Sequence, residues 1–143
     1  QRACGEAVGP GTTLDAVHEG AVREIAAGLV ELGLVEGPVD DAIEQERYKP
    51  FFMHRTSHWL GMDVHDVGLY YLGGEARPLE PGMVLTVEPG VYVGPAAEVD
   101  ARWHGIGVRI EDDVLVTADG RENLTADVPK DPDALERLLA ARW

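Results

Sequence analysis

Apolar residues near the start of the chain recur at the spacing of one helix face. Between residues 13 and 32 they stand at Leu14, Val17, Ala21, Val22, Ile25, Ala26, Leu29 and Val30. This spacing predicts an amphipathic helix over 13–32, with Thr13 as a candidate N-cap and Gly33 as a C-terminal stop. A shorter helix is predicted over 39–46, with two aspartates near its start.

After Pro50 the apolar residues form short runs separated by Gly and Pro. Runs of this length that are rich in β-branched and aromatic residues predict strands. The predicted strands cover residues 51–53, 85–87, 91–93, 108–110 and 114–116. Residues 78–82 predict a turn, and residues 94–105 predict a long polar loop.

The chain closes with a helix signal at Asp131, which is followed by Pro132 at the first helical position. The predicted helix extends to about residue 141 and carries Arg137 and Arg142 toward its C-terminal end, where cations suit the helix dipole. A helix, several antiparallel strands and a final helix, without internal repeats, predict an α+β fold.

Composition adds that the chain is strongly acidic. Its 143 residues include 12 Lys and Arg and 26 Asp and Glu, which give a formal net charge of −14. This charge repels phosphate backbones and anionic lipid surfaces, so nucleic acid and membranes are not predicted partners. The single cysteine, Cys4, cannot form an intrachain disulfide, which favours a reducing compartment and predicts a cytoplasmic location. Because the chain begins with Gln1 and shows no signal peptide, we expect that it is cut from a longer polypeptide or trimmed at its start.

Three of the five histidines fall within twelve residues of the segment 51–68, at His54, His58 and His65. Neutral imidazole is a common ligand of divalent transition metals and a common proton carrier near pH 7. Asp63 and Asp66 place carboxylates near these rings, where they could fix a tautomer. Each histidine alone fits packing or surface exposure as well as ligation, so both interpretations stay open.

Two glutamates occupy predicted strands whose polar faces need a partner. Glu88 ends an apolar strand, and period-two alternation places Glu111 on one face with Arg109 while apolar residues take the opposite face. An ordinary surface ion pair would satisfy Glu111 and Arg109, and a strand-ending turn would satisfy Glu88. Combined with a histidine, however, the two carboxylates form a ligand set suited to Mn, Co, Fe or Zn.

Other residues have simpler interpretations. His18 is predicted to be a surface residue of the first helix, and His104 a surface or substrate-rim residue of the long loop. Trp59 and Tyr92 are predicted core residues, and Cys4 is predicted to be an ordinary thiol.

Four segments together resemble the Xaa-Pro aminopeptidase (aminopeptidase P) family. They are FFMHRTSHWLGMDVHDVG at 51–68, LEPGMVLTVEPG at 79–90, GIGVRIEDD at 105–113 and ENLT at 122–125. The resemblance runs from about Gly11 to Leu139 and implies the pita-bread fold, a curved antiparallel sheet covered by helices. It also implies a dinuclear metal centre, typically of manganese, with cobalt, zinc or iron as alternatives. Such enzymes remove the N-terminal residue of peptides with proline at the second position.

By matching position, the resemblance implies that His58, Glu88 and Glu111 are metal ligands. Glu88 would also serve as the general base for the attacking water, and Glu111 would bridge the two metals. Two metals that share a water lower its pKa, and a neighbouring glutamate can then accept and deliver the proton.

The resemblance assigns supporting roles to three more residues. His54 and His65 resemble histidines that contact the substrate and stabilise the tetrahedral intermediate, which hydrogen-bond donors at a developing oxyanion can do. Arg109 resembles an arginine tied to the metal-bound carboxylates.

The chain departs from the family pattern in its upstream ligands. The family centre has two further aspartates before the helix predicted at 13–32, but residues 1–11 contain no Asp, and Asp15 falls within the helix. We therefore expect residues 1–143 to be the C-terminal part of one catalytic domain that binds metal weakly and does not hydrolyse peptides alone. The loss of upstream strands would expose a sheet edge and an apolar face, so a homo-oligomer is expected.

Two alternatives stay open. Prolidase, which cleaves Xaa-Pro dipeptides, differs in substrate-length control, much of which lies outside this sequence. A non-catalytic pita-bread protein that binds partners would typically lack the metal ligands, whereas His58, Glu88 and Glu111 are all present.

Overall fold

The computed structural model describes residues 1–141, which begin with three helices. Helix α1 spans Arg2–Ala7, α2 spans Leu14–Glu31 and α3 spans Val39–Glu44. Helix α2 begins as predicted because the side chain of Thr13 accepts a hydrogen bond from the Ala16 N–H. Beyond its end Gly33 has a φ of 70°, a left-handed conformation that suits glycine. The prediction missed α1, whose six residues are too few to show a period, and it placed the end of α3 two residues too far.

Short strands occupy the middle of the chain and pair only antiparallel among the described residues. They are β1 (Tyr71–Leu72), β2 (Glu75–Ala76), β3 (Val84–Val87), β4 (Gly90–Tyr92), β5 (Gly107–Arg109), β6 (Asp112–Val116) and β7 (Arg121–Asn123). Four of the five predicted strands are confirmed, with boundaries that differ by one or two residues. The predicted α+β class is therefore confirmed. The hairpin β1–β2 and strand β7 carried too few apolar residues to be predicted.

The strand predicted at 51–53 is wrong. These residues leave a turn and continue as irregular chain, and the N–H groups of Phe51 and Phe52 both donate to the carbonyl oxygen of Tyr48. Phe51 is 5% exposed and Phe52 is 2% exposed. The apolar run therefore reflects burial of two aromatic rings beneath a turn, which periodicity cannot distinguish from a short buried strand.

The β3–β6 and β4–β5 ladders follow one antiparallel register. Two residue pairs separate the ladders, and continuing the register beyond β3 places Glu88 opposite Glu111. Pro89 lies in the gap and has no N–H to donate, so strand pairing is interrupted there. The two glutamates thus lie across from each other at the break in a long hairpin.

Helix α2 buries one face against the β3–β6 ladder. The larger core cluster includes Leu14, Val17, Val22, Phe52, Leu85, Val87, Val114 and Val116. Leu85 and Val87 are fully buried, so the strand that leads to Glu88 is held in the centre of the core. Among residues 1–141, no helix combines the length and apolarity that a membrane crossing requires.

Helix α4 (Pro132–Ala140) follows the predicted signal, because the side chain of Asp131 accepts a hydrogen bond from the N–H of Ala134. The predicted position of Arg142 lies outside the described residues. The segment before α4 is tied to the sheet by Lys130, whose Nζ lies 2.8 Å from a carboxylate oxygen of buried Asp112. Asp112 directly follows Glu111, so this ion pair also restrains the start of β6.

Candidate active site

Strand β3 lies between strand β6 on one side and the irregular segment 56–60 on the other. The Glu88 N–H donates to the Thr56 carbonyl oxygen at 2.8 Å, and the Thr86 N–H donates to the His58 carbonyl oxygen at 3.0 Å. The His58 N–H in turn donates to the Thr86 hydroxyl at 3.1 Å. The backbone therefore aligns His58 with the end of β3, although no strand was predicted there.

Three side chains predicted as metal ligands converge on one point. One ligand atom from each of His58, Glu88 and Glu111 lies within 4.8 Å of the others. The Nε2 atom of His58 is 3.1 Å from the Oε1 atom of Glu88, and these two side chains are only 16% and 11% exposed. Glu111 is more exposed. A histidine and two carboxylates within this distance form a donor set for a divalent metal.

The electrostatics of this cluster favour a cation between the three side chains. The Nδ1 atom of His58 lies 2.9 Å from the Trp59 carbonyl oxygen, which only accepts, so Nδ1 carries a ring proton and Nε2 is the nitrogen that faces Glu88. Glu88 and Glu111 are like charges at opposed positions of a hairpin, which is destabilising. Partial burial, followed by the nearby charge of Glu88, raises the pKa of Glu111. A bound divalent cation would relieve the repulsion between the two carboxylates.

Arg109, Tyr92 and His54 form a hydrogen-bonded group beside the cluster. The Arg109 Nε–H donates to the Tyr92 hydroxyl at 2.7 Å, and this hydroxyl lies 3.0 Å from Nε2 of His54. The Nη1 atom of Arg109 is 3.6 Å from a carboxylate oxygen of Glu88. Arg109 therefore links the Glu88 carboxylate to the histidine, both through Tyr92 and directly, since its Nη2 atom lies 3.3 Å from Nε2 of His54.

Sequence reasoning missed the place of Tyr92, which was predicted to be a core residue. It is half-buried, and its hydroxyl bonds to Arg109 and His54. The period-two alternation that places Glu88 on one face also places Tyr92 there, two positions beyond Gly90. That pattern was the available signal, and it was overlooked because an aromatic residue in an apolar strand is more often packed in the core.

His65 approaches the cluster on a loop shaped by Asp66. The ring of His65 stands edge-on to the ring of His58, with centroids 4.3 Å apart. The Asp66 carboxylate accepts hydrogen bonds from the N–H groups of Met62 at 3.1 Å and Val67 at 2.8 Å. The Asp66 side chain therefore stabilises the loop by bonding to backbone N–H groups within it. The sequence had suggested a different role, in which this carboxylate could fix a histidine tautomer.

Gly68 is required by the close packing of this loop. A Cβ atom at Gly68 would lie 2.6 Å from the ring of Trp59, which is buried at 7% exposure as predicted. We expect Gly68→Ala to lower the free energy of unfolding by about 1–3 kcal/mol, because the indole must shift within a packed core. The matched control is Gly94→Ala, where a Cβ atom meets nothing within 4 Å. Equal losses for both variants in urea unfolding would contradict the prediction.

The surface position predicted for His18 is wrong. The ring is partly buried, and its Nδ1 atom lies 2.9 Å from the hydroxyl of Thr56. Burial, followed by the charge of Arg55, lowers the pKa of His18 to about 4. His104 bonds within its own loop, where its Nε2 atom is 3.0 Å from the Ala97 carbonyl oxygen, and Cys4 is a free, buried thiol.

Comparison with known proteins defines the class of this chain. The model of metallopeptidase family M24 matches residues 1–118, so the chain belongs to the metallopeptidase family M24. The Xaa-Pro aminopeptidase of Escherichia coli K12 is 54% identical over 132 residues, which cover 92% of this chain and 30% of that protein. Xaa-Pro aminopeptidase 1 of Streptomyces coelicolor is 48% identical over 140 residues, which cover 94% of this chain and 28% of that protein.

Solved structures show the same fold. Aminopeptidase PepP of Pseudomonas aeruginosa is 56% identical with a TM-score of 0.94, over 97% of this chain and 32% of that chain. Proline aminopeptidase P II of Yersinia pestis is 53% identical with a TM-score of 0.92, over 97% of this chain and 32% of that chain. The fold is therefore the pita-bread fold that the motifs predicted. The chain spans about 30% of the length of the curated relatives it matches.

Proposed function

We propose that the chain is the C-terminal part of the catalytic domain of an Xaa-Pro aminopeptidase, a metal-dependent peptidase. The observation that carries the proposal is the convergence of His58, Glu88 and Glu111 within 4.8 Å at the break of the hairpin. The relatives named Xaa-Pro aminopeptidase support the choice of activity. The substrates would be peptides with proline at the second position.

His58, Glu88 and Glu111 would hold the metal. The Nε2 atom of His58 and the two opposed carboxylates fit a divalent cation, because all three can donate an electron pair and their ligand atoms lie within 4.8 Å of one another. Manganese is the proposed metal, with cobalt, zinc and iron as alternatives that accept the same mixed nitrogen and oxygen ligands. When bound, a metal pair would activate the attacking water and polarise the scissile carbonyl.

The chain's own residues would move the protons and orient the peptide. Glu88 would accept the proton of the attacking water and deliver it to the leaving amine. Its carboxylate is oriented by Arg109 at 3.6 Å. His65 and His54 would donate hydrogen bonds to the developing oxyanion. The Nδ1 atom of His54 lies 2.8 Å from the Arg55 carbonyl oxygen, which only accepts, so Nδ1 carries a ring proton. Donation from Nε2 to the oxyanion would require the doubly protonated ring and the exchange of Tyr92 and Arg109 for the substrate.

We further propose that these 143 residues alone bind metal weakly and do not hydrolyse peptides. The family centre expected from the resemblance has five protein ligands in a dinuclear site, and this chain supplies three of them. We expect no release of the first residue from a Gly-Pro or Arg-Pro peptide when the chain is incubated with Mn²⁺. A longer polypeptide that adds the two aspartates is the positive control. Robust turnover by the 143-residue chain would overturn this part of the proposal.

Prolidase activity is less well supported. Relatives at 47–54% identity carry the name Xaa-Pro aminopeptidase. The non-catalytic alternative conflicts with the presence of the three converging ligands. Prolidase would be favoured if a longer polypeptide that contains this chain cleaved Xaa-Pro dipeptides and failed to cleave peptides of greater length.

We also propose that the chain forms a homo-oligomer. Strand β5 pairs with β4 along one edge. The apolar side chain of Val108 on β5 is 54% exposed, and that of Ile106, which precedes the strand, is 45% exposed. Exposed strand edges and apolar patches promote association, although the net charge of −14 opposes it. We expect a dimer or larger species by light scattering at 150 mM salt, about the ionic strength that screens charges beyond roughly 8 Å. A clean monomer at high concentration would contradict this expectation.

A further inference from the structure

The first turns of α2 contact the segment that carries His54. The carboxylate of Asp15 forms an ion pair with the guanidinium of Arg55, and it accepts a hydrogen bond from the hydroxyl of Tyr71 at 3.0 Å. The carbonyl oxygen of Arg55 in turn accepts a hydrogen bond from Nδ1 of His54 at 2.8 Å. Asp15 is therefore linked to the His54 ring through a single residue, with a tie to the β1–β2 hairpin.

His18, one turn further along α2, also contacts the segment that carries His54. Its Nδ1 atom bonds to the hydroxyl of Thr56, which is fully buried. Its ring packs on Phe52 with centroids 5.5 Å apart, and Phe52 stands edge-on to His54 with centroids 5.2 Å apart. His18 therefore makes two specific contacts, one with a buried hydroxyl and one with an aromatic ring. A solvent-exposed helix position would require neither.

His58 is held differently. Its backbone bonds to Thr86 of β3 in both directions, and its Nδ1 atom bonds to the carbonyl oxygen of its neighbour Trp59. None of these contacts involves α2. The two histidines, although four residues apart, therefore depend on different elements of the fold.

We propose that Asp15 and His18 are positioning residues that set the orientation of His54 from the α2 side, while Tyr92 and Arg109 contact Nε2 on the other side of the ring. Asp15 acts through Arg55, and His18 acts through Phe52 and Thr56. The role of His54 at the substrate rests on the proposed function, but its dependence on α2 does not. The ring of His54 would lose its fixed orientation toward Tyr92 when either contact is removed.

The test is the NMR ring signals of the five histidines in the metal-free chain, each assigned by its own His→Gln substitution. Asp15→Asn and His18→Phe are expected to displace or split the His54 signal while the His58 signal keeps its wild-type position. Glu19→Gln is the matched control, because it removes the same charge from an exposed site on the same helix and should move neither signal.

A double variant separates the route through Arg55 from a general effect. If Asp15 acts through Arg55, then Asp15→Asn, Arg55→Met and their combination should displace the His54 signal equally, since residues in one network are not additive. An unchanged His54 signal in Asp15→Asn and His18→Phe would overturn the proposal. Equal movement of the His54 and His58 signals would also overturn it, because the contacts would then serve general stability. Both results come from the metal-free chain and need no turnover. A failure of the proposed function would appear in the peptide-cleavage experiment and would leave these NMR results unchanged.

Discussion

Replacement of Glu111 by glutamine is expected to weaken Mn²⁺ binding to the chain by at least about 100-fold. Loss of an outer contact that only supports a metal ligand already costs about 10–100-fold in affinity, and Glu111 offers a ligand atom directly. The same change removes one of two like charges opposed across the hairpin, which is destabilising in the absence of metal. The free energy of unfolding of the metal-free chain should therefore stay unchanged or rise.

Isothermal titration with Mn²⁺ and urea unfolding with a chelator measure the two effects. The matched control is Glu122→Gln on β7, which removes the same charge from an exposed position and should leave the affinity near the wild-type value. Equal losses in Glu111→Gln and Glu122→Gln would show that Mn²⁺ binds to the acidic surface in general. A metal-free Glu111→Gln chain that is strongly destabilised would show that the carboxylate is structural.

Replacement of Phe52 by alanine is expected to lower the free energy of unfolding by about 3–5 kcal/mol, as large cavities in a core do. The ring is 2% exposed in the larger core cluster and also touches the rings of His18 and His54. This loss is a large share of the roughly 5–15 kcal/mol that stabilises a typical domain. Urea unfolding, followed by tryptophan fluorescence, measures it.

The neighbouring residue provides the control for this prediction. Met53 is 60% exposed, and Met53→Ala should stay within about 0.5 kcal/mol of the wild type, as surface substitutions usually do. Phe52→Leu keeps most of the buried volume and should fall between these two variants. Similar stability for Phe52→Ala and Met53→Ala would mean that the ring does not support the core.

Much of the fold followed from local patterns. Helix α2 combined a clear period with a cap at Thr13, and the strands around Glu88 and Glu111 combined β-branched residues with turn signals. The wrong predictions concern places where the same local sequence pattern is compatible with two different structures. The apolar run at 51–53 is buried beneath a turn, and the histidine on α2 is covered by a segment distant in sequence.

The sequence predicted which side chains lie together in the candidate site, but it did not predict the hydrogen bonds and ion pairs that hold the surrounding residues. His58, Glu88 and Glu111 were expected together from motif resemblance, and they do converge. The links from Asp15 to Arg55 and from Tyr92 to His54 join residues 40 and 38 positions apart. Such contacts depend on how elements pack, and neither period nor spacing encodes packing between distant elements.

The interrupted hairpin also determines where the chain can change in length. Pairing on both sides of the gap fixes Glu88 against Glu111, and the connection at 94–105 adds to it only at its end, where the Gly105 N–H donates to the Val93 carbonyl oxygen. Insertions before Gly105 should leave the pairing intact, whereas one residue added between Pro89 and Tyr92 would turn Tyr92 to the opposite face of the strand. Members of this family are therefore expected to vary in length within the connection and to keep a constant count of residues along the two strands. The connection is also the place where a new binding loop could be grafted without disturbing the glutamates.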